Sequence, residues 1–415
     1  MKNQKKYILI LGDGMSDDYT LSPSPLMTAR KPNADRLAGL GKIGLCRTVP
    51  DGFSPGSDVA NLSILGYNPA DCYTGRSPLE ALSMGIEMKK GDLAYRCNLV
   101  TVEGQGGLDN CVMKDYSAGN ISSGEAKELI GCLNENLDLD GLELHAGISY
   151  RHCLIERKSN PGNNSSLLTP HFSLPLTPPH DITGRPVAPC LPQGRLLSLM
   201  QEAYKILGAH PVNLARVKAG KNPANSIWFW GQGGLPVLDS FESKYGIEGA
   251  MISAVDLLKG IAAATKMTVV SVAGATACID TDYKGMADAA LDALRNHGFV
   301  YLHIAAPDEC AHHGDYENKK RAIELIDQKI IGYLLPLLDK SGYDYTVIFM
   351  PDHATPVAIK THTSAPVPYL VYRKGDMGNG ARKYDEPSAA GSAVEVGHKF
   401  LKKILGMRQM KNEAN

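Results

Sequence analysis

Short, continuously apolar runs bounded by turn residues stand near both ends of the chain. Residues 7–11 (YILIL), 268–272 (TVVSV), 299–305 (FVYLHIA) and 345–350 (YTVIFM) do not alternate apolar with polar positions. That is the pattern of strands buried on both faces of a parallel sheet. Between them, residues 286–296 and 321–335 place apolar side chains three and four apart, which predicts helices with one buried stripe. Strand and helix therefore alternate. The expected fold class is α/β, a mostly parallel sheet with helices on both faces.

The middle of the chain has a different pattern. From about residue 95 to 249 there are more Gly, Asn and polar turns, and residues 160–193 form a Pro-rich stretch containing PLTPPHDITGRPVAP. A connection that long is usually a functional or covering loop. The expectation is a smaller α+β domain inserted into the first, with residues 1–92 and 253–415 forming one domain and 93–252 the other.

Composition narrows the function classes. The 415 residues carry 43 Lys+Arg against 44 Asp+Glu, a formal net charge of −1. Such a balance excludes a general electrostatic drive toward nucleic acid or an anionic membrane. Nine cysteines are scattered singly from Cys46 to Cys310 without a C-x-x-C pair, as expected of single thiols in the reducing cytoplasm. The basic start MKNQKK leads into an apolar run ending at Leu11, too short for a signal-peptide core. No stretch approaches the ~20 apolar residues needed to span a bilayer.

The strand ends point to chemistry. YILIL runs into Gly12-Asp13-Gly14, FVYLHIA into Ala306-Pro307-Asp308 and onward to His312, and YTVIFM into Pro351-Asp352-His353. Ligands of open α/β sheets bind beyond the carboxyl ends of strands. Three carboxylates gathered there repel one another unless cations sit between them. Asp308 and His312 are four apart, hence on one face of a helix, and His362 stands nine residues after His353. Oxygen and imidazole donors without thiolates suit Mn²⁺ or Zn²⁺ better than Ca²⁺. Singly, each Asp could instead cap a helix.

In Asp51-Gly-Phe-Ser-Pro-Gly-Ser57-Asp-Val-Ala-Asn61, small residues lead into an apolar stretch, which predicts a tight turn entering a helix at Ser57. A hydroxyl at that place either caps the helix or, beside a divalent cation, ionises and attacks phosphorus. Arg96 and Arg151 lie within otherwise apolar YRCN and YRHC. Each is open to two readings, a fold-holding ion pair or a bidentate phosphate clamp. His180 and Asp181, in the Pro-rich loop, are open to two readings as well, closing over a substrate or simply being solvated.

The set Gly12-Asp13-Gly14, PGSDVANLSILGYNP, PDECAHHGD, PDHATP and THTSAPVP, with GRSPLEA, AYRCNLV, SYRH and PPHDITG in the middle region, resembles the alkaline phosphatase superfamily. Within it the chain is similar to the archaeal-type cofactor-independent phosphoglycerate mutases, glycolytic isomerases. The resemblance implies an alkaline-phosphatase-like fold and two divalent metals, commonly Mn²⁺, Zn²⁺ or Mg²⁺, with no requirement for 2,3-bisphosphoglycerate. It implies one metal on Asp308, His312 and His362, and another on Asp13, Asp352, His353 and the Ser57 oxygen. Ser57 would be the nucleophile that forms a phosphoserine on a small phosphorylated substrate. The inserted domain would bind substrate through Arg96, Arg151, His180 and Asp181 and exclude water. One segment departs from the pattern: where the mutases have D-R-R-A-G-R, this chain has Asp115-Tyr-Ser117-Ala-Gly-Asn120. There it resembles a subgroup proposed to act as homoserine kinase, so transfer to another small hydroxyl compound is the alternative function.

Overall fold

The computed structural model describes residues 5–20, 22–158, 176–378 and 383–406. The chain divides into two compact units, Met1–Tyr73 with Val237–Asn415, and Thr74–Pro236. The crossings thus lie at 73–74 and 236–237 instead of near 93 and 252. The difference has a local cause. The helix Ser77–Ser83 packs on strands of the smaller sheet, so the chain has already changed units before the first apolar strand of the middle region begins.

The first unit is built on an eight-stranded sheet. Its strands are β1 (Lys5–Gly12), β2 (Lys42–Arg47), β8 (Gly249–Ile252), β9 (Thr268–Val270), β10 (Phe299–Ile304), β11 (Asp344–Met350), β12 (Val367–Arg373) and β13 (Val394–Val396), in the order β13-β2-β12-β11-β1-β10-β8-β9. The pairs β1–β10, β1–β11, β10–β8, β8–β9 and β13–β2 are parallel, whereas β12 runs antiparallel to both neighbours. The sheet is therefore the mostly parallel one that the runs at 7–11, 299–305 and 345–350 predict; the run at 268–272 instead gives β9, an exposed strand at the end of the sheet rather than one buried on both faces. Alternate residues of the central strands face two apolar layers. Ile8, Ile10, Val300, Leu302, Val347 and Phe349 join a core with helices such as Pro32–Leu40 and Tyr283–Asn296. Leu9, Leu11, Tyr301 and Ile348 on the opposite face are equally buried.

The helices start where sequence chemistry prepares them. Asp282 accepts from Gly285 N–H ahead of the helix Tyr283–Asn296, and Asp315 from Asn318 N–H ahead of Tyr316–Leu325, satisfying donors that a first turn leaves open. The expected helix over 321–335 is part of a longer run, 316–340, interrupted by a π-helical segment Ile326–Ile331. There the Asp327 carboxylate receives Asn33 N–H and Ala34 N–H and caps the helix Pro32–Leu40.

The second unit is a five-stranded antiparallel sheet of β3 (Leu93–Glu103), β4 (Val112–Asp115), β5 (Leu142–His145), β6 (Arg151–Glu156) and β7 (Ser226–Gly234). Its long strand β3 lies between β6 and β7. The helices Ser123–Asn136, opened by a Ser122/Glu125 capping box, and Arg195–Gly208 contribute Leu129, Leu133, Leu199 and Ala203 to its own core. Of the Pro-rich stretch, residues 160–175 lie outside the described residues, while 176–193 includes two short turns, Pro179–Ile182 and Ala188–Cys190. Among the described residues, no helix is long and apolar enough to cross a membrane.

Candidate metal centre and nucleophile

Topology brings the predicted residues of the first unit together at one edge of its sheet. β1 lies between β10 and β11, with Gly12 opposite Ile304 and Leu11 opposite Met350. Neighbouring strands are about 4.8 Å apart, so the loops leaving all three begin side by side. Asp13 comes directly after β1, Asp308 sits in the first turn of the helix Ala306–His313 after β10, and Asp352 and His353 come after β11. Because β12 is antiparallel, its N-terminal end, with His362 just before it, returns to the same edge. β2 is antiparallel to β12 in turn, so the chain leaving Arg47 for Ser57 starts there too.

The distances describe a single cluster. His312 Nε2 is 3.1 Å from Asp308 Oδ2 and 3.0 Å from His362 Nε2, and His362 Nε2 is 3.6 Å from Asp308 Oδ1. His353 Nε2 is 3.6 Å from Asp13 Oδ1 and 3.4 Å from Asp352 Oδ2. Ser57 Oγ lies 3.1 Å from His353 Nε2. Ser57 opens the helix Ser57–Ile64, whose N-cap is Gly56, and no side chain caps it. The capping role that competed for Ser57 is thus not the one its hydroxyl performs. Ser54, the other hydroxyl of that turn, is exposed.

Electrostatics explain why such a cluster needs positive charge. Asp13, Asp308 and Asp352 are all buried. Burial, and after it the charges of Asp352 and Asp308, push Asp13 well above the usual carboxylate range. Burial opposes ionisation of Asp308 too, but hydrogen bonds from His312 and His362 hold it well below that range. The same Asp308 bond raises His312 to about 9. His353 is lowered, chiefly by burial. The protein's own protons offset the carboxylates here, and Asp13 Oδ1 still accepts no hydrogen bond among the described residues. A buried carboxylate oxygen without a donor is costly, and two sets of carboxylate and imidazole donors fit divalent cations. Asp308, His353 and His362, and likewise Asp13, His303 and Asp352, offer ligand atoms within 4.8 Å of one another.

Sequence reasoning missed three supporting residues. His303, at the end of β10, places Nε2 3.1 Å from Asp13 Oδ2 and Nδ1 3.1 Å from Ser253 Oγ. Asn61 donates to Asp352 Oδ2 at 2.9 Å and to Ser57 O at 2.8 Å, and accepts from Tyr301 OH. Thr355 contacts Asp308 and His353. A histidine inside an otherwise apolar strand was a readable signal for the first. Asn61 and Thr355 gave none, since a polar residue beside a motif usually faces water. Gly14 is explained as well: it adopts φ +56°, and a Cβ there would overlap Asp308 Oδ1 and Thr355 Oγ1.

In the second unit Arg96 and His180 meet at Trp230, while Arg151 and Asp181 have other partners. Arg96 Nε is 2.8 Å from Glu80 Oε2, and its guanidinium lies 4.0 Å from the centre of the Trp230 ring. Burial lowers its pKa to about 10. The His180 ring is 5.3 Å from Trp230 and 6.0 Å from Tyr116. Arg151 is exposed and donates to Tyr150 OH at 3.1 Å. Asp181 is 3.6 Å from His180 and open to solvent. The segment that departs from the arginine-rich pattern closes on itself: the Asp115 carboxylate receives Ser117 N–H and O–H, Gly119 N–H and Asn222 Nδ2–H.

A family model described as 2,3-bisphosphoglycerate-independent phosphoglycerate mutase matches residues 38–213. A probable 2,3-bisphosphoglycerate-independent phosphoglycerate mutase of Geobacter sulfurreducens is 45% identical over 410 residues, covering 96% of this chain and 99% of that protein. One of Methanosarcina acetivorans is 45% identical over 398 residues, covering 94% and 96%. Among solved structures, the cofactor-independent phosphoglycerate mutase of Thermoplasma acidophilum has TM-score 0.63 at 29% identity, covering 97% of this chain and 99% of that one. A Pyrococcus horikoshii protein has TM-score 0.77 at 26% identity, covering 97% and 98%.

Proposed function

Since the chain belongs to the family of 2,3-bisphosphoglycerate-independent phosphoglycerate mutases, we propose that it interconverts 3- and 2-phosphoglycerate through a phosphoserine at Ser57. The observation that carries the reading is the Ser57 hydroxyl, free of capping duty and 3.1 Å from His353 Nε2 beside the Asp13 and Asp352 carboxylates. Asp308, His312 and His362 would hold one divalent cation, and Asp13, Asp352, His353 and Ser57 a second. Mn²⁺ suits this mixed donor set, with Zn²⁺ and Mg²⁺ as alternatives. Such cations, when bound, neutralise charge on the transferring phosphoryl oxygens and favour the serine alkoxide.

The chain's own groups carry the transfer. Ser57 Oγ, held at the start of its helix, loses its proton and attacks phosphorus; the bond from phosphorus to the glycerate oxygen breaks, and that oxygen takes up a proton. First-turn N–H groups of the helix Ser57–Ile64 favour the negative charge. The glycerate turns, its other hydroxyl loses a proton and attacks the phosphoserine, the bond from phosphorus to Ser57 Oγ breaks, and Ser57 regains its proton. Arg151 and His180, with Arg96 and Asp181 beside them, are the candidates for recognising the substrate's anionic groups. Water must be kept out, because it would hydrolyse the phosphoserine. The same reading places the enzyme in the cytoplasm, in keeping with its single thiols.

One observation favours a second reading. The segment Asp115–Asn120 presents no arginine, and its carboxylate is consumed by its own turn. That leaves fewer guanidinium groups for a phosphoglycerate and suits transfer to another small hydroxyl compound such as homoserine. A coupled assay for 2-phosphoglycerate formation decides, run with Mn²⁺ and without 2,3-bisphosphoglycerate. Turnover that disappears in Ser57→Ala is expected. No turnover by folded, metal-loaded protein would instead send the search to homoserine with phosphate donors.

A further inference from the structure

The four histidines around the sheet edge do not all meet the same kind of partner. His312 Nδ1 is 2.9 Å from Lys360 O and His362 Nδ1 is 3.3 Å from Pro55 O. A carbonyl oxygen only accepts, so in each ring Nδ1 carries the hydrogen and Nε2 faces the cluster. His353 differs: its Nδ1 lies 3.1 Å from a hydroxyl, Thr355 Oγ1. A hydroxyl can donate or accept, so this contact alone leaves the ring's tautomer open.

The second bond of the same hydroxyl closes the question. Thr355 Oγ1 is 2.6 Å from Asp308 Oδ1, and an ionised carboxylate only accepts. The single hydroxyl hydrogen therefore goes to Asp308, and Thr355 Oγ1 has only lone pairs left for His353. The hydrogen between them must sit on Nδ1, which leaves Nε2 with its lone pair directed at Ser57 Oγ, 3.1 Å away. The hydroxyl is held in place for this task. Thr355 N donates to Ser16 O at 3.1 Å, and the wholly buried Lys319 ammonium donates to Thr355 O at 2.8 Å and to Ser16 O at 3.0 Å. Gly14 contributes by absence of a side chain, because a Cβ there would occupy the space of the Thr355–Asp308 bond.

We propose that Thr355 is a positioning residue that fixes His353 in its Nδ1–H tautomer and joins the Asp308 donor set to the His353 donor set through one shared hydroxyl. The consequence for the proposed two-cation centre, on which this part rests, is that losing the hydroxyl weakens both sets at once although Thr355 ligates neither. A residue that merely filled space would affect neither the tautomer nor the binding of metal.

The test uses the whole protein. In metal-free, ¹⁵N-histidine-labelled protein at pH 8, long-range ¹H–¹⁵N correlation reports which ring nitrogen of His353 carries the hydrogen. The Nδ1–H form is expected in the wild type and in Thr355→Ser, and its loss in Thr355→Val, which keeps the shape without the hydroxyl. An Nε2–H ring in the wild type would overturn the proposal. Mn²⁺ titration monitored by electron paramagnetic resonance is the second readout. Thr355→Val should bind Mn²⁺ some 10- to 100-fold more weakly, the range typical of outer-sphere partners, with Thr355→Ser close to wild type. Unchanged affinity in Thr355→Val refutes the link between donor sets. Failure of the wild type itself to bind Mn²⁺ removes the two-cation reading but leaves the tautomer assignment to stand or fall on its own measurement.

Discussion

The two units use buried histidine in opposite ways. In the parallel unit, His303, His312, His353 and His362 all stand within reach of carboxylates, and the charges of one group move the proton affinity of the next. In the antiparallel unit, His152 is buried without an ion pair among the described residues; its Nδ1 accepts from Gly147 N–H at 3.0 Å and its Nε2 has no partner among them. Burial alone lowers it, to about 3. The lesson is that burial is not the mark of a reacting site. What distinguishes the sheet edge is opposite charges buried together, each costly alone and mutually useful once cations complete the set.

The comparison is tested most severely by removing a ligand from the first unit and an arginine from the second. His362→Ala should lower kcat by on the order of 10³-fold and reduce bound Mn²⁺ by one equivalent, measured by elemental analysis after gel filtration. Arg151→Ala should leave Mn²⁺ content unchanged and raise KM by roughly 10- to 100-fold, the worth of one charged hydrogen bond. If both variants lost metal, or neither did, the division of labour between the units would be wrong.

The same division explains what was legible in the sequence. A parallel sheet delivers its working residues at the ends of strands, where an apolar run stops, so Asp13, Asp308, Asp352 and His353 could be picked out by position. The helix at Ser57 and the pairing of Asp308 with His312 came from spacing. Asn61 and Thr355 were not legible, because their roles depend on which segments become neighbours; His303 left the one readable sign, a histidine inside an apolar strand. In the antiparallel unit position along a strand gives no such cue: Arg96 in β3 and Trp230 in β7 meet only through the register that pairs them, and His180 and Asp181 lie in a turn. The unit's boundary was hidden for a related reason, since nothing local in GRSPLEA tells which sheet its helix will cover.

Arg96 sharpens the contrast on a smaller scale. Its Nε is engaged by Glu80 and its face by Trp230, whereas the Arg151 guanidinium meets the neighbouring Tyr150 of its own segment. Arg96→Met should therefore cost about 2 kcal/mol of the second unit's stability through the broken ion pair and lost ring contact, seen as a lowered urea midpoint. Its KM should rise less than that of Arg151→Ala. A KM effect exceeding that of Arg151→Ala, without loss of stability, would reverse the roles of the two arginines.

The last effect concerns acid. His152 titrates near 6.5 in an unfolded chain and about 3 in the fold. Its folded value is depressed, so between these limits the unfolded chain binds a proton that the folded unit refuses. Stability from this group is thus complete above pH 6.5 and is lost as pH falls, at about 1.4 kcal/mol per unit, or ~2 kcal/mol by pH 5. Protonation would also displace the Gly147 N–H from Nδ1. Hydrogen exchange read peptide by peptide, corrected for intrinsic rates, isolates the second unit in the intact protein. Protection of β3 and β6 amides should fall between pH 7.5 and pH 5, and this fall should flatten in His152→Asn, which accepts a hydrogen bond but does not titrate. An equally steep fall in that variant would assign the acid sensitivity to other groups and leave His152 a packed ring without electrostatic consequence.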